Sequence, residues 1–203
     1  MLIDKSYFLE LAATSPDSIR RRVPCSYNTT EGNYSISLWG DEYCIDPKEM
    51  TTYCKASPNK PSHEYFPLFI IYYLLKMQSF TPNNEWISEN DIPGGSTFFR
   101  GPHLIPTSDI SGEFGNEIDI FRNKCKKLGG TPLDMADASF SFEIAPQLYV
   151  AVLYWVGDED FPTEAKILYD STISDLLPLD IIFALAVEVC TRIGSSHISG
   201  TLN

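Results

Sequence analysis

Leu148-Tyr-Val-Ala-Val-Leu-Tyr-Trp155 is an uninterrupted apolar run, and it decides the fold class that we predict for this chain. A continuous apolar run of this length is typical of a strand that is covered on both faces, so we expect it at the centre of a sheet. Residues 138–144 precede this run, and there Phe140, Phe142 and Ile144 alternate with two serines and a glutamate. This alternation predicts a neighbouring strand with one buried face.

A second group of strands is predicted nearer the start of the chain. Residues 34–39 alternate like a half-buried strand, and Gly40-Asp41-Glu42 provides a turn back into a strand at residues 43–45. A further short strand is predicted at Thr97–Arg100, within a stretch that is rich in Pro, Gly and Asn. Residues 58–62 are predicted to form a loop.

Several apolar helices are predicted around these strands. Residues 64–78 are apolar on nearly every side and carry Pro67 in the first turn, which predicts a buried helix. A second long apolar helix is predicted over residues 178–193. Residues 116–128 are predicted to form an amphipathic helix, and its inward side chains are expected to be Ile120, Phe121 and Cys125.

The order of these elements indicates an α+β fold. The strands fall into two groups that helices separate and follow, without the regular alternation of βαβ units. We predict one domain over residues 1–203, in which strands of antiparallel or mixed sheets pack against several apolar helices. Residues 196–203 are predicted to be a mobile tail. With 203 residues and 43% apolar side chains, the chain can bury a sizeable core.

The charge of the chain limits its partners. Its 15 basic and 27 acidic residues give a net charge of −12, which opposes binding to phosphate backbones and to anionic membrane surfaces. The longest apolar run, Phe66 to Leu75, is about half the length needed to cross a bilayer. We therefore predict neither a nucleic-acid partner nor a membrane.

The cysteines give no support to a metal or redox motif. They are odd in number, widely spaced and without a CxxC pair, which disfavours a zinc ribbon, a thioredoxin motif and an iron–sulfur domain. The amino terminus also lacks a basic region followed by an apolar core, as a signal peptide would have. We predict a cytoplasmic protein with free thiols, and we assign no metal ligand and no particular cofactor.

Two segments, residues 86–103 and 155–162, combine turn-forming Gly and Pro with aromatic and titratable side chains, the mixture that builds sites. They supply every candidate ligand-binding residue: Trp86, Gly94, Gly95, Phe98, Phe99, Arg100, His103, Trp155, Asp158 and Asp160. The backbone amides at Gly94 and Gly95 could face an anion. Because a phosphate loop needs a preceding strand, a following helix and usually a Lys, the favoured interpretation is a tight turn.

His103 is the most informative single residue of these segments. Its imidazole titrates near neutrality, and the constrained backbone of Arg100-Gly101-Pro102 before it can hold the ring steady. An acid, a base or a metal ligand is one interpretation. A histidine that is hydrogen-bonded to a carbonyl in a packed loop is the favoured one.

The acidic turn after the central strand also has two interpretations. Asp158 and Asp160 can share one face, because successive side chains alternate along an extended chain. Alternatively, the turn is solvated and Phe161 fills the core. Arg100 is expected to pair with one of the two carboxylates and so to join the two segments.

These segments resemble the hallmark blocks of domain-of-unknown-function family 3786, an uncharacterised family of bacteria and archaea. The resemblance runs from about Ser35 to Ile193, and it includes Leu38-Trp39-Gly40, Pro67-Leu68, residues 86–95, Phe98–His103, Phe114-Gly115, Leu128-Gly129-Gly130, residues 155–162 and Leu168–Ser171.

The resemblance implies an anaerobic host and no established catalytic residue. Some members of the family carry a fused four-cysteine iron–sulfur module of the type seen beside corrinoid proteins. The five cysteines of this chain do not match that spacing. An electron-transfer role would therefore need a separate redox protein as partner.

Three functions remain open. The first is a binding module for a small ligand or cofactor, accessory to anaerobic redox or corrinoid-linked metabolism. Its pocket would lie between residues 86–107 and 157–171, with aromatic walls formed by Trp86, Phe98, Phe99, Trp155 and Phe161. The second is a protein–protein interaction module without a ligand. The third is an enzyme in which His103 acts as acid or base and Asp158 or Asp160 orients it.

Overall fold

The computed structural model of the protein describes residues 3–55 and 62–195. Eight α-helices and two antiparallel sheets are found within those residues, which confirms the α+β fold class. Residues 58–61 of the predicted loop and the predicted tail at 196–203 lie outside the described residues. Across the described ranges, every helix is too short or too polar to span a bilayer.

The first sheet is a meander in the order β1-β2-β3-β4, with all strands antiparallel. Its strands are β1 (Cys25–Asn28), β2 (Asn33–Leu38), β3 (Asp41–Asp46) and β4 (Thr51–Cys54). The predicted strands over residues 34–39 and 43–45 correspond to β2 and β3. The turn between them is Trp39-Gly40, with φ angles of 45° and 75°, so β3 begins earlier than the sequence indicated. Two positive φ values suit a two-residue hairpin loop.

The second sheet has the order β5-β9-β8-β7-β6 and is also antiparallel. Its strands are β5 (Trp86–Ile87), β6 (Thr131–Pro132), β7 (Ala138–Ala145), β8 (Leu148–Trp155) and β9 (Glu164–Asp170). The apolar run that decided the predicted fold class is β8, and it is the central strand. Its side chains from Val150 to Tyr154 are buried, so both faces of the strand are covered.

Trp39 joins the two sheets. Its backbone N–H donates to the Ile144 carbonyl at 2.8 Å, and its indole N–H donates to the Leu128 carbonyl at 3.1 Å. The edge of its ring packs on Phe142, with the ring centroids 5.2 Å apart. These contacts make one continuous core from both sheets.

The helices are α1 (Lys5–Ala13), α2 (Pro16–Arg20), α3 (Phe66–Lys76), α4 (Gly95–Phe98), α5 (Ser108–Phe114), α6 (Ile118–Lys127), α7 (Ile173–Leu176) and α8 (Leu179–Gly194). Helix α8 packs on α3 and α5, and it is buried along most of its length. The predicted helices over residues 64–78, 116–128 and 178–193 appear as α3, α6 and α8.

Two local predictions are wrong. Thr97–Arg100 is not a strand, because Gly94 adopts a left-handed conformation (φ 79°) that starts the short helix α4, and a 3-10 turn follows at Gly101–His103. Ile120 does not face inward but is 55% exposed. The buried stripe of α6 consists of Phe121 and Cys125, four residues apart, and the side chain before Phe121 points away from it.

Candidate binding site

Strand β9 lies between the two segments that the sequence singled out. At one end, Trp86 and Ile87 pair with Asp170 and Tyr169. At the other end, Trp155 lies opposite Glu164, so the segment 155–162 leads into the start of the strand. Both segments therefore contact one strand, at its opposite ends.

A hollow of about 270 Å³ lies along the outer edge of β9. Residues 164–167 of the strand form one wall, and residues between 89 and 107 form the other. We call it the β9 hollow, and its lining residues are Glu89, Asn90, Phe99, Leu104, Ile105, Thr107, Glu164, Ala165, Lys166 and Ile167. This is the region in which the sequence placed a pocket.

The backbone of β9 presents unpaired hydrogen-bonding groups to this hollow. Ser171 N–H donates to the Glu85 carbonyl at 2.8 Å, so the groups of residue 171 point away from β8. In an antiparallel sheet the N–H and C=O groups of successive residues point to opposite sides of the strand. The backbone groups of Ala165 and Ile167 therefore point to the same side as those of residue 171, away from β8. Strand β5 pairs only with residues 169 and 170. No hydrogen bond among the described residues uses the outward N–H and C=O groups of Ala165 and Ile167.

Strand β5 ends before it can pair with these groups because the chain turns away after Ile87. The N–H and hydroxyl of Ser88 donate to the Asp91 carboxylate at 2.9 and 2.6 Å, and these bonds lower the pKa of Asp91. Gly95 then packs so close that a Cβ on it would lie 1.9 Å from the Glu89 carbonyl oxygen. Only glycine permits this contact, which holds the turn in place.

Asp170 fixes the end of β9 that pairs with β5. Its buried carboxylate accepts hydrogen bonds from the N–H groups of Asn83 and Asn84, at 3.1 and 2.7 Å, and from the N–H and hydroxyl of Thr172. Burial acts to raise the pKa of Asp170, but these hydrogen bonds outweigh it and lower the pKa below its ordinary value. The charged carboxylate thus ties the chain before β5 to the end of β9.

Tyr169, on the strand that forms one wall of the hollow, carries a further unpaired group. Its side chain lies on the same face of β9 as Ala165 and Ile167, since faces alternate with a period of two. Its hydroxyl is buried and has no hydrogen-bond partner in the part of the chain that the structure describes. Burial, with smaller effects from Cys190 and Glu89, raises the pKa of the phenol well above its ordinary value, so the hydroxyl keeps its proton.

Of the candidate residues, only Phe99 lines the β9 hollow. Trp86 is half-buried on β5, and Trp155 is half-buried at the end of β8. Gly94 and Gly95 build the turn, as the favoured interpretation of these two residues had it. The predicted aromatic walls of Trp86, Phe98, Trp155 and Phe161 do not line it.

His103 lies on the protein surface between two phenylalanines. Its ring stacks on Phe98, with the centroids 4.4 Å apart, and meets the edge of Phe183 at 5.4 Å. Neither a hydrogen bond nor an ion pair within residues 62–195 joins His103 to Asp158 or Asp160. The arrangement that the enzyme hypothesis requires is therefore not formed.

The acidic turn is fixed by its own backbone. The Asp158 carboxylate accepts the N–H groups of Asp160 and Phe161 at 2.8 and 2.9 Å, and both bonds lower the pKa of Asp158. Phe161 is 71% exposed and does not fill the core. Arg100 is exposed too, and none of the ion pairs among the described residues joins it to this turn. The expected Arg100 link is therefore absent.

The sequence analysis did not predict strand β9, although the sequence contained a signal for it. Ala165, Ile167 and Tyr169 alternate with Glu164 and Lys166, which is the pattern of a half-buried strand. The opposite wall had no comparable signal. Glu89, Asn90 and Thr107 carry no periodicity, and only the turns around them bring them to β9.

A second polar cluster lies deep in the molecule, and we call it the Arg192 network. It consists of Asp41 and Tyr43 on β3, Glu188 and Arg192 on α8, and Ser62 and His63 before α3. Arg192 donates to Glu188 at 2.6 Å, to Asp41 at 2.9 Å and to the Tyr43 hydroxyl. Glu188 also accepts the His63 N–H at 2.6 Å and the Ser62 hydroxyl at 3.1 Å.

The guanidinium of Arg192 lies between the rings of Trp39 and Phe66, 4.8 and 5.3 Å from their centroids. Burial opposes its charge, yet Glu188, Tyr43 and Asp41 together raise the pKa of Arg192. Burial raises the pKa of Glu188 although Arg192 acts to lower it, so Glu188 is the member of this pair that takes up a proton as the pH falls. All the groups of the network bond to one another, which fits a structural role.

Other hollows have a different character. One of about 590 Å³ lies between α1, β4 and α3, with mainly apolar walls. Another, of about 450 Å³, lies beside Phe98 and Leu177. In the described stretches, no three His, Cys, Asp or Glu side chains group as metal ligands would.

The chain belongs to the family described as Domain of unknown function (DUF3786), whose profile matches residues 15–192. The matched region contains both segments, strand β9 and the Arg192 network. The chain has no significant match among curated proteins or among solved structures. The description of the family names no function, so any functional conclusion has to come from the geometry.

Proposed function

We propose that this protein is a binding module whose ligand occupies the β9 hollow. The observation that carries the proposal is the pair of residues Ala165 and Ile167, whose outward N–H and C=O groups face the hollow without partners. Buried backbone groups in proteins are almost always hydrogen-bonded, to protein, to water or to a ligand. An edge that remains unpaired inside a hollow is suited to a ligand that completes it.

The size of the hollow limits the ligand. Pockets for small molecules usually measure roughly 300–1,000 Å³, and this one, at about 270 Å³, lies just below that range. It suits a small ligand or a short part of a larger one, whereas a tetrapyrrole or a flavin is too large to be enclosed. In anaerobic redox or corrinoid-linked metabolism, we propose an accessory role in which a partner protein carries the large cofactor.

An absorbance spectrum of anaerobically purified protein tests this size argument. We expect the absorbance of protein alone. A visible band that persists through purification would show that this chain binds a chromophore. It would contradict the proposal that a partner protein carries the large cofactor.

A fragment titration tests the site itself. The probes are small amides, ureas and lactams. Their donors and acceptors can bond to the unpaired C=O and N–H groups of Ala165 and Ile167. In ¹H–¹⁵N spectra we expect the amide signals of Ala165, Ile167 and Thr107 to shift more than those of the rest of the chain. Fragments that shift no signal at the hollow, or shift all surface amides alike, would contradict the proposal.

A matched pair of variants controls this experiment. Asn90 is exposed and lines the hollow, so Asn90→Trp covers part of it with an indole and should weaken the fragment shifts. Asn123→Trp makes the same change at an exposed position of α6, away from the hollow, and should leave them intact. Equal binding to both variants would show that the fragments bind elsewhere.

A further inference from the structure

We propose that the ligand of the β9 hollow is an extended peptide segment of another protein, which adds to β9 as an edge strand. This inference rests on the proposed function and names the chemical class of its ligand. It follows from the arrangement of the unpaired groups, the path of the surrounding chain and the charge of the hollow.

The unpaired groups have the spacing of a strand partner. Ala165 and Ile167 each offer one N–H and one C=O in the same direction, two residues apart along β9. An extended chain alongside offers its own donors and acceptors at that interval, so it can pair with all four groups at once. A compact small molecule would reach only part of this row.

The fold keeps the outer edge of β9 at residues 165–167 from pairing with the chain's own β5. Ile87 is the last residue of β5 that pairs with β9, and the Ser88–Asp91 turn then directs the chain outward. The close contact of Gly95 with the Glu89 carbonyl holds that turn. A bound segment would therefore continue the row of the sheet that β5 begins. Exposed strand edges are prone to pairing with other chains, and proteins usually blunt or cover them.

The walls of the hollow indicate which side chains the segment carries. Phe99 and Ile105 are buried, and Leu104 is 66% exposed at the rim, so one side offers an apolar surface. Glu89 and Glu164 against Lys166 leave one net negative charge among the lining residues. We infer a segment with an apolar side chain toward Phe99 and with neutral or basic neighbours.

Selection from a displayed library of random heptapeptides tests this inference on the intact chain. The decisive variant is Ala165→Pro, which removes one outward N–H, and edge strands accept proline where the N–H is not part of the ladder. Asn123→Ala, at an exposed position of α6 away from the hollow, is the control. We expect the enriched peptides to bind the wild type and Asn123→Ala alike, and to bind Ala165→Pro about tenfold more weakly.

Two further measurements keep the inference open to refutation if Ala165→Pro does not fold. Bound peptide should slow the amide hydrogen exchange of Ala165 and Ile167, while the amides of Lys166 and Leu168, which point to β8, change little. Two copies of the best peptide, N-methylated on alternate sets of residues, should also differ. One copy should lose binding, because a strand edge uses only every second N–H, and the other should keep it.

Other outcomes identify other occupants. The strand-addition inference would be overturned if the selection enriched no peptide on the wild type. It would also be overturned if the enriched peptides bound the wild type and Ala165→Pro equally well. If small fragments still bind at the hollow in that case, the proposed function stands and only the peptide inference falls. A wild-type dimer that Ala165→Pro dissociates, measured by light scattering, would overturn it in favour of pairing between two copies of this chain.

Discussion

The Arg192 network and the β9 hollow are both polar regions of one domain, and they treat their polar groups in opposite ways. In the network, Arg192 is 2% exposed, and each of its three side-chain nitrogens donates to a carboxylate or a hydroxyl of the chain itself. In the hollow, Ala165 and Ile167 keep backbone donors and acceptors without partners. The network therefore stabilises the fold, whereas the hollow keeps hydrogen-bonding capacity for another molecule.

This difference indicates how a site can be found when no motif identifies it. Buried charged groups are often the first candidates for a functional site. Here they pair with one another, which is the usual condition of buried ionic groups. The informative groups are uncharged and belong to the backbone of an ordinary strand. The comparison predicts that changes in the network act on stability and that changes on the outer edge of β9 act on binding.

Replacing Arg192 should break the network and have the largest effect. Arg192→Met leaves Glu188 and Asp41 buried without their cation, so we expect the free energy of unfolding to fall by about 3–5 kcal/mol. Urea denaturation measures it. Arg122→Met is the control, because Arg122 pairs with Asp119 at the surface, and there we expect a change below about 1 kcal/mol. Similar effects of the two variants would remove the distinction between the network and ordinary ion pairs.

Replacing Asp170 should weaken the attachment of the chain before β5 to the end of β9. Asp170→Asn keeps the shape but loses charge-assisted bonds from Asn84 and Thr172, so we expect a loss of about 1.5–3 kcal/mol near pH 7. Because folding lowers the pKa of Asp170, its contribution is complete above about pH 5 and is lost as the pH falls further.

The unfolding free energies of wild type and Asp170→Asn should therefore converge between pH 5 and pH 2, values that bracket an ordinary aspartate pKa of about 3.9. Asp175→Asn, at an exposed position of α7, is the matched control and should show no such convergence. A difference at Asp170 that stays constant across this pH range would mean that its charge is not what stabilises the structure.

Adding one methyl group should disturb the turn beside the hollow. Gly95→Ala forces the Glu89 carbonyl to move, and we expect a loss of about 1–3 kcal/mol in thermal or urea unfolding. Gly112→Ala is the control, because a Cβ there meets nothing within 4 Å and alanine favours the helix. We expect it to be neutral or to stabilise by up to about 1 kcal/mol. A neutral Gly95→Ala would show that the turn relaxes easily.

The smallest effect on stability is expected at the outer edge of β9 itself. Ala165→Pro removes an N–H that bonds to nothing in the chain, so we expect at most about 1 kcal/mol. Lys166→Pro, one residue away, removes a ladder bond to β8 and should cost about 3 kcal/mol or more. Unfolding measurements on the two variants compare the two edges of one strand, and equal losses would contradict the assignment of the outward groups.

Prediction from the sequence succeeded where periodicity carries the information. The strand at 148–155 and the helices at 64–78 and 178–193 were found because burial on all sides requires apolar residues at every position. It failed at Thr97–Arg100, where Gly94 starts a short helix within a region of mixed signals. It also placed Ile120 on the wrong side of α6, since a shift of one residue rotates a helical position by about 100°.

The β9 hollow shares one residue with the candidates that the sequence predicted. Residues 86–103 and 155–162 both contact strand β9. Phe99 lines the β9 hollow, whereas Trp155, Asp158 and His103 do not line it. The Arg192 network had a partial signal in two opposite charges four residues apart within an apolar helix. Its third charge, Asp41, lies far away in the sequence, and no local pattern connects it to α8.

By itself the sequence determined the α+β class, the central strand and the membership of a family, because these depend on the local order of apolar and polar residues. Only the tertiary structure decided which polar groups remain without partners. Whether the N–H of Ala165 is bonded depends on where β5 leaves β9, which a turn at Ser88 and a contact at Gly95 control from far along the chain. Hydrogen bonding between strands is a property of pairs in space, so residue identity along one chain does not specify it.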